Sequence, residues 1–375
     1  MSEHTGKTSH GDAEAKYVCH SPLLTSFLCA CVSVCSVVQV WVPTSFHRDI
    51  FISSGVDASK VVVIPEPVDT DFFSPEHAAK LDAEVAAASI AAGDSPPRST
   101  LFVYPHESAA SSPRPFRFLS IFKFEERKGW QILLEAFLRE FATYPPEQAE
   151  SDGRAADSNH APSSSSPPVA LYILTSAYHS DADFQRRIDS FVATLSWHRA
   201  DGSPTAVPTL PPVRLLPSGV SSAELASLYS GADCFVLSSR GEGWGRPHVE
   251  SMSMGLPVIA TQWSGPSEFL SEENSFPLRH DGMVPVREGA FAGHLWAEPS
   301  QTHLRQLMRR VVTDPAEARR KGKQARRDMQ TKYCPRCVAK LVIEELARIQ
   351  GIKRIAEKAA SDDSSAQEEE EERDL

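Results

Sequence analysis

The sequence lacks an excess of positive charge. Its 38 lysines and arginines stand against 49 acidic residues, which gives a formal net charge of −11. The tail 361–375 holds eight of those acids and one arginine, a net −7, and so leaves −4 for the other 360 residues. A run of this kind is usually a solvated chain end. Without a basic stripe elsewhere, duplex nucleic acid is not an expected partner.

Cysteine is also scarce, with seven in 375 residues. A chain of this length with so few cysteines does not carry the dense disulfide framework of a small secreted domain. Cys334 and Cys337 form one CxxC pair without a second pair, so no zinc site is expected. This cysteine usage indicates a reducing compartment for the folded part.

Charge is absent from residues 21–46, a stretch long enough to span a bilayer. Two interpretations stay open. The stretch is either a signal anchor that attaches the protein to a membrane, or a helix that leads into a buried strand over 37–42. The location therefore stays open between the cytoplasm and a membrane of the endoplasmic reticulum or Golgi.

Apolar strands alternate with amphipathic helices between residues 116 and 345. The predicted strands are 116–123, 169–175, 213–217, 233–239 and 255–261, and the predicted helices include 128–141, 181–195, 301–312, 316–331 and 335–358. Strands that are apolar on both faces predict an α/β fold with a parallel sheet covered by helices on both sides. Two segments poor in large apolar residues, 76–115 and 143–168, are predicted to be flexible insertions. Residues 346–375 are predicted to be a helix end and an acidic tail.

Two glutamates flank a glycine-rich turn in "SRGEGWGRPHVESMSMGLPVIAT", residues 239–261. In a parallel sheet such a loop lies at the carboxyl end of a strand, where ligands bind. A helix predicted from Pro247 favours an anion at its start, so a glutamate at 250 needs a reason. Glu250 could accept hydrogen bonds from a ribose diol, or it could merely cap its own helix. Glu242 could orient sugar hydroxyls.

A second loop, "KFEERKG" (123–129), places cations just beyond a strand end. Lys123 and Lys128 could neutralise a diphosphate leaving group, which would be electrostatic catalysis. The alternative is a solvated helix start. Arg127 is predicted to be a surface charge.

The third loop, "TQWSGPSE" (261–268), places Ser264 and Gly265 before a helix predicted to begin near Pro266. Backbone N–H groups there could hold phosphate oxygens, and a simple capped turn explains the sequence equally well. His248 lies in the first loop. Whether its ring faces the cleft or packs against the fold stays open.

The combination of these motifs resembles the C-terminal domain of the retaining GT-B glycosyltransferases of family 4. The resemblance is carried by "EGWGRPHVE" followed by "GLPVIAT", by "KGWQILLEAF" and by "ASLYSGADCFVLSS". Residues 37–75 resemble the end of the N-terminal domain and the interdomain linker. The expected architecture is thus one complete Rossmann-like C-terminal domain over 116–345 and a remnant of the N-terminal domain.

Roles for the site residues follow from the resemblance. It implies that Glu250 binds the donor ribose and that Glu242 contacts the transferred sugar. The turn Gly243-Trp244-Gly245 would lie beside that sugar. Lys123 and Lys128 would contact the donor diphosphate, although the family usually has an arginine where Lys123 stands.

The implied activity is retaining transfer of a hexose from a nucleotide-diphosphate sugar to a hydroxyl of a glycan, lipid or protein. The resemblance calls for no cofactor and no metal. The family normally has a Rossmann domain of well over a hundred residues before the stretch at 40, whereas 1–36 form only a short, hydrophobic N-terminal segment. Two alternatives are therefore a donor-binding module that needs a partner and a truncated gene model of the full enzyme.

Overall fold

The structure of the protein, a computed structural model, covers most of the chain from residue 39 onward. The described residues are 39–91, 114–143, 167–177, 183–197, 207–216, 219–287, 289, 291–351 and 354. The predicted N-terminal segment 1–36, nearly all of the predicted insertion 143–168 and the acidic tail lie outside them.

The described residues form strands and helices in the following order along the chain. The strands are β1 (Val40–Val42), β2 (Val61–Val63), β3 (Phe116–Phe124), β4 (Val169–Ala177), β5 (Val213–Leu216), β6 (Cys234–Leu237), β7 (Val258–Thr261), β8 (Phe276–Leu278), β9 (His280–Pro285) and β10 (Leu295–Pro299). The α-helices are α1 (Ser45–Ser53), α2 (Pro75–Ala91), α3 (Trp130–Phe141), α4 (Phe184–Thr194), α5 (Ser222–Gly231), α6 (Arg246–Ser253), α7 (Gln301–Thr313), α8 (Pro315–Lys332) and α9 (335–351).

Six parallel strands form the central sheet, in the order β5-β4-β3-β6-β7-β8. Strands β3 and β6 lie in its middle and are apolar on both faces, with Phe118, Leu119 and Phe235 fully buried. Helices α3 and α7 contact each other and help to cover the sheet. The sheet brings the carboxyl ends of β3, β6 and β7 side by side. The predicted α/β fold with a parallel sheet is confirmed.

A second, smaller sheet contains only β1 and β2, which pair in parallel. Val42, Val56 and Val61 form its small core beneath α1. This unit contacts the larger one where the backbone N–H of Ser45 donates to the Glu268 carboxylate at 2.7 Å.

The charge-free stretch 21–46 is described only from residue 39, where it forms strand β1 and the first turn of α1. Within the described part of the chain, no helix is both long and apolar enough to cross a membrane.

Helix α2 corrects the prediction of a flexible insertion that begins at residue 76. Seven alanines in Pro75–Ala91 supply high helix propensity, although they add little apolar surface. Small side chains allow a close approach to α5, where Ala78 is fully buried and Ser227 donates to Asp82 at 2.7 Å. The helix was not predicted because the prediction of ordered structure depended on large apolar residues, of which this segment has few.

Other elements also differ from the sequence prediction. The helix predicted near Pro266 is a four-residue 3-10 turn, Gly265–Glu268. Strand β8 and the antiparallel hairpin β9–β10 were not predicted. Cys334 and Cys337 are joined by a disulfide at the start of α9, a pairing that the sequence analysis did not predict.

Gly129 provides a test of the packing between the β3 loop and β6. Its φ is +64°, and a Cβ atom there would lie 2.0 Å from the carbonyl oxygen of Ser238. Gly129→Ala is therefore expected to lower the free energy of unfolding by more than about 3 kcal/mol, measured by urea denaturation.

The matched control for this prediction is Gly55→Ala. Gly55 also has a positive φ, +97°, but a Cβ there meets no described atom within 4 Å. Its expected cost is only the backbone strain of about 1–2 kcal/mol. Equal losses at the two positions would contradict the argument that backbone overlap at Gly129 decides the outcome.

Candidate active site

The three loops predicted to carry the site meet at the carboxyl end of the sheet. The backbone N–H of Arg240 donates to the carbonyl of Arg127 at 2.7 Å and joins the β6 loop to the β3 loop. The N–H of Gly265 donates to the carbonyl of Glu242 at 3.0 Å and joins the β7 loop to the β6 loop. The convergence follows from the order of the strands, because β3, β6 and β7 are neighbours.

Glu242 lies in the middle of the three loops with its side chain only 9% exposed. Its two carboxylate oxygens accept from Lys128 Nζ at 2.7 and 2.8 Å, and Oε2 also lies 3.2 Å from Arg127 Nη1. Burial acts to raise the pKa of Glu242, but the charges of Lys128 and Arg127 outweigh it and the pKa is lowered. Glu242 is therefore ionised at neutral pH.

Arg127, predicted to be a surface charge, has a side chain 38% exposed and also contacts Glu242. Its guanidinium donates to Glu242, to the Gly241 carbonyl, and to Glu125 at 2.6 Å. Burial acts to lower the pKa of Arg127, yet the two carboxylates raise it overall. The signal available in the sequence was the presence of two acids, Glu125 and Glu242, in loops that follow strand ends.

Lys123 and Lys128 lie at the carboxyl end of β3, but in different surroundings. Lys128 has a side chain 12% exposed and bound to Glu242. Lys123 is exposed, whereas its neighbours Phe122 and Phe124 are buried on the opposite face of the strand. The structure therefore places Lys128 in the ionic contact with Glu242, while Lys123 is exposed.

Ser264 and Gly265 fasten the β7 loop to the glycine-rich turn. Ser264 has a φ of +58°, and its Oγ accepts from the backbone N–H of Glu242 at 2.8 Å. A Cβ at Gly265 would lie 2.2 Å from the carbonyl oxygen of Gly243, so only glycine fits there. The N–H of Gly265, expected to hold a phosphate oxygen, is already bonded to Glu242.

Trp244 anchors the turn from behind. Its buried ring lies 5.1 Å from the ring of Phe269 and 5.6 Å from that of Tyr333, both edge to face. Gly243 is exposed on one side of it, and Gly245, with φ +108°, caps α6 on the other. The Trp244 side chain is therefore buried beneath the turn, and the turn exposes its backbone at Gly243 instead.

Glu250 is buried inside α6 and makes no capping bond to its own helix. Its Oε2 accepts from the hydroxyl of Tyr229 at 2.9 Å, and its Oε1 lies 3.5 Å from Arg246 Nε. Burial raises the pKa of Glu250 despite both contacts. Glu250 therefore does not cap its own helix. Its partner Tyr229, on α5, is a residue that the sequence analysis did not single out.

His248 packs against the fold and does not face the cleft. Its ring is 1% exposed and lies edge to face with Phe235 at 5.5 Å. Burial lowers its pKa to about 4, so the ring is neutral. In the described part of the chain, no group of three or more His, Cys, Asp or Glu side chains could hold a metal ion.

Residues 215–328 match the family model described as glycosyl transferases group 1. Among curated protein sequences, none matches the chain significantly.

Several solved structures share the fold at low sequence identity. HepE from Anabaena, determined with UDP and glucose, is 15% identical with a TM-score of 0.56, over 86% of this chain and 67% of HepE. A glycosyltransferase from Rickettsia africae is 14% identical with a TM-score of 0.54, over 89% and 68% of the two chains. Sucrose-phosphate synthase from Thermosynechococcus elongatus is 18% identical with a TM-score of 0.53, over 90% and 65%.

The family match lies over the loops that carry Glu242, Glu250 and Ser264, and the shared fold extends over most of the chain. The chain spans about two thirds of the length of these structures. The chain therefore has a GT-B fold, and its residues 215–328 match the glycosyl transferases group 1 family model.

The buried imidazole of His248 makes stability depend on pH. A pKa lowered from 6.5 to about 4 means that the unfolded chain binds a proton first as the pH falls. The stability that His248 contributes is present above about pH 6.5 and is lost as the pH falls towards 4. Between about pH 7 and pH 5 the free energy of unfolding should drop by about 2 kcal/mol through this residue.

Urea denaturation at the two pH values measures that drop for the protein and for His248→Gln. The variant is expected to be less stable at neutral pH but to lose about 2 kcal/mol less on acidification. His294→Gln, in the hairpin between β9 and β10, serves as the control. An equal acid-induced loss in the protein and in His248→Gln would show that other groups are responsible.

Proposed function

We propose that this protein transfers a hexose, with retention of configuration, from a nucleotide-diphosphate sugar to a hydroxyl acceptor. One observation carries the proposal. Two buried carboxylates lie on either side of one glycine-rich turn, Glu242 on two cations and Glu250 on a buried phenol. A nucleotide sugar offers both a diphosphate and vicinal hydroxyls, which are the groups that such a set can bind.

The cations beside Glu242 would act on the diphosphate. Lys128 has a charge held inside the site by Glu242, and Arg127 shares the same carboxylate. A bound diphosphate would attract Lys128, with the exposed Lys123 as a further positive charge at the rim. Negative charge develops on the phosphate as the glycosidic bond breaks, and a positioned cation lowers the barrier. In the retaining reaction, the acceptor attacks the face from which that phosphate leaves.

Glu242 would then contact the transferred sugar, next to the turn Gly243-Trp244-Gly245. Exchange of Lys128 from the carboxylate to the diphosphate would leave Glu242 free to accept hydrogen bonds from sugar hydroxyls. Glu250 would accept hydrogen bonds from the ribose. HepE is described in complex with UDP and with UDP-glucose, which makes a uridine-diphosphate sugar the first donor to test. The acceptor would be a hydroxyl of a glycan, a lipid or a protein.

The second candidate is a nucleotide-sugar-binding module that needs a partner for transfer. The surface of the smaller unit and α9 favours it. Trp41, Leu341, Ile343 and Leu346 are large apolar residues with 40–66% of their surface exposed, and Gln39 joins β1 to Glu345 of α9. Attachment to a membrane through 21–46 remains a prediction, because 21–38 lie outside the described residues.

The intact mass of the native protein separates these candidates. A species well above the mass of the 375-residue chain would favour the full enzyme. A native species of the expected mass, without UDP release in the presence of UDP-sugar and a mixed acceptor pool, would favour the binding module.

Glu250→Ala tests the ribose contact. The change is expected to weaken binding of UDP and of a UDP-sugar alike by about 1–3 kcal/mol, because it leaves ribose hydroxyls without an acceptor. Isothermal titration calorimetry measures both affinities. Glu317→Ala removes a first-turn glutamate of α8, paired with Arg310, and is the matched control. Unchanged UDP affinity in Glu250→Ala would remove the ribose assignment.

Glu242→Gln tests the sugar contact. UDP should bind as well as before or more tightly, because Lys128 and Arg127 lose a competing carboxylate. The additional affinity that the sugar gives should fall by about tenfold, the value of one hydrogen bond to a charged group. Calorimetry with UDP and UDP-glucose gives the ratio of the two affinities.

Glu125→Gln is the control for this pair of titrations. Glu125 also binds Arg127, at 2.6 Å, but lies outside the glycine-rich turn. Its removal should leave the ratio of UDP-glucose to UDP affinity unchanged. A parallel loss of both affinities in Glu242→Gln would rule out a role confined to the sugar.

A further inference from the structure

We propose that Tyr229 is a positioning residue that holds Glu250 for the donor ribose and so sets the preference for a ribonucleotide over a deoxyribonucleotide. The inference rests on the proposed function, because it concerns the same nucleotide. It depends, however, on an observation of its own. The buried Tyr229 side chain on α5 contacts the carboxylate of Glu250 on α6, 21 positions away in the chain.

The hydroxyl of Tyr229 has one good acceptor. It lies 2.9 Å from Glu250 Oε2 and 3.4 Å from the carbonyl oxygen of Pro247, the second being too long for a strong bond. The tyrosine is fully buried, so water does not compete for this donor. A carboxylate accepts only, and a neutral phenol must therefore donate to it.

The ring of Tyr229 is held on two sides. Phe73 packs against it edge to face at 6.0 Å, and Phe235 lies 6.4 Å away. Helix α5 is itself fixed by the capping box of Ser221 and Glu224. The phenol oxygen is thus a fixed point against which the Glu250 side chain is oriented, although α6 alone would leave that side chain several rotamers.

The bond to Tyr229 leaves acceptor capacity for a ligand. Each carboxylate oxygen can accept two hydrogen bonds, so one position on Oε2 and both on Oε1 remain. Among the described residues, Oε1 lies 3.5 Å from Arg246 Nε, and the Arg246 side chain is 61% exposed. Two vicinal ribose hydroxyls therefore find an oriented acceptor, and binding does not have to order the carboxylate first.

A purely structural role for Tyr229 makes a different prediction. If the phenol only filled the core, loss of its hydroxyl would change the affinity for ribonucleotides and deoxyribonucleotides by the same factor. The ratio of the two affinities therefore distinguishes positioning from packing.

The experiment is calorimetric titration of the full chain with UDP and 2′-deoxy-UDP, and with the corresponding GDP pair. The protein is expected to prefer the ribonucleotide by about tenfold or more, and Glu250→Ala should abolish the preference. Tyr229→Phe should reduce it by about three- to tenfold, with the deoxyribonucleotide affinity changed less than about twofold. Tyr229→Phe combined with Glu250→Ala should match Glu250→Ala alone.

The matched control is Ser227→Ala, which removes a hydroxyl from the same helix, one that donates to Asp82. It should leave the ratio unchanged. Circular dichroism verifies that each variant is folded. If Tyr229→Phe does not fold, 3-fluorotyrosine at position 229 replaces it; this residue keeps the shape and is a stronger donor, so the ratio should rise.

The outcomes separate this inference from the proposed function. No nucleotide binding, or a preference that survives Glu250→Ala, contradicts the ribose contact of the proposed function. If Glu250→Ala loses the preference while Tyr229→Phe retains all of it, only the positioning role is overturned. An unchanged ratio with 3-fluorotyrosine has the same meaning.

Discussion

The ionic contact of Glu242 with Lys128 and Arg127 is the constraint on which the site depends. It joins the loop after β3 to the loop after β6, and the backbone of Glu242 joins both to the loop after β7 through Ser264 and Gly265. A buried ion pair of this kind contributes little net stability, because desolvation of the charges offsets their attraction. Its value lies in geometry, since one residue, Glu242, contacts the loops after β3 and β7 from the loop after β6.

The two glutamates differ because their neighbours differ. Two cations lower the pKa of Glu242, whereas burial raises the pKa of Glu250 beside a neutral phenol and an exposed arginine. Two glutamates, one in the turn and one in the helix that follows it, therefore differ in how readily they ionise. Under the proposed function, Glu242 contacts the transferred sugar beside the cations that act on the diphosphate, and Glu250 contacts the hydroxyls of the ribose.

Local pattern predicts most of the larger fold. Strand 116–123 was predicted from its apolar run and is Phe116–Phe124, and the predicted helix 128–141 is Trp130–Phe141. Arg127 and Tyr229 escaped prediction because their importance depends on partners in other loops or helices. The roles proposed for Glu242 and Glu250 came from the chemistry of the glycine-rich loop and from the family resemblance. The contacts that hold these carboxylates appear only when strand order brings distant segments together.

Close packing behind the glycine-rich turn limits which contacts of the site can rearrange. Trp244 is clamped by Phe269 and Tyr333, and Gly265 leaves no space against Gly243, so the rear of the turn is rigid. At the front, the Glu242 carboxylate is bound by the side chains of Lys128 and Arg127. Within the proposed function, donor binding would exchange the ionic partner of Lys128, from the Glu242 carboxylate to the diphosphate, beside a turn whose rear is closely packed.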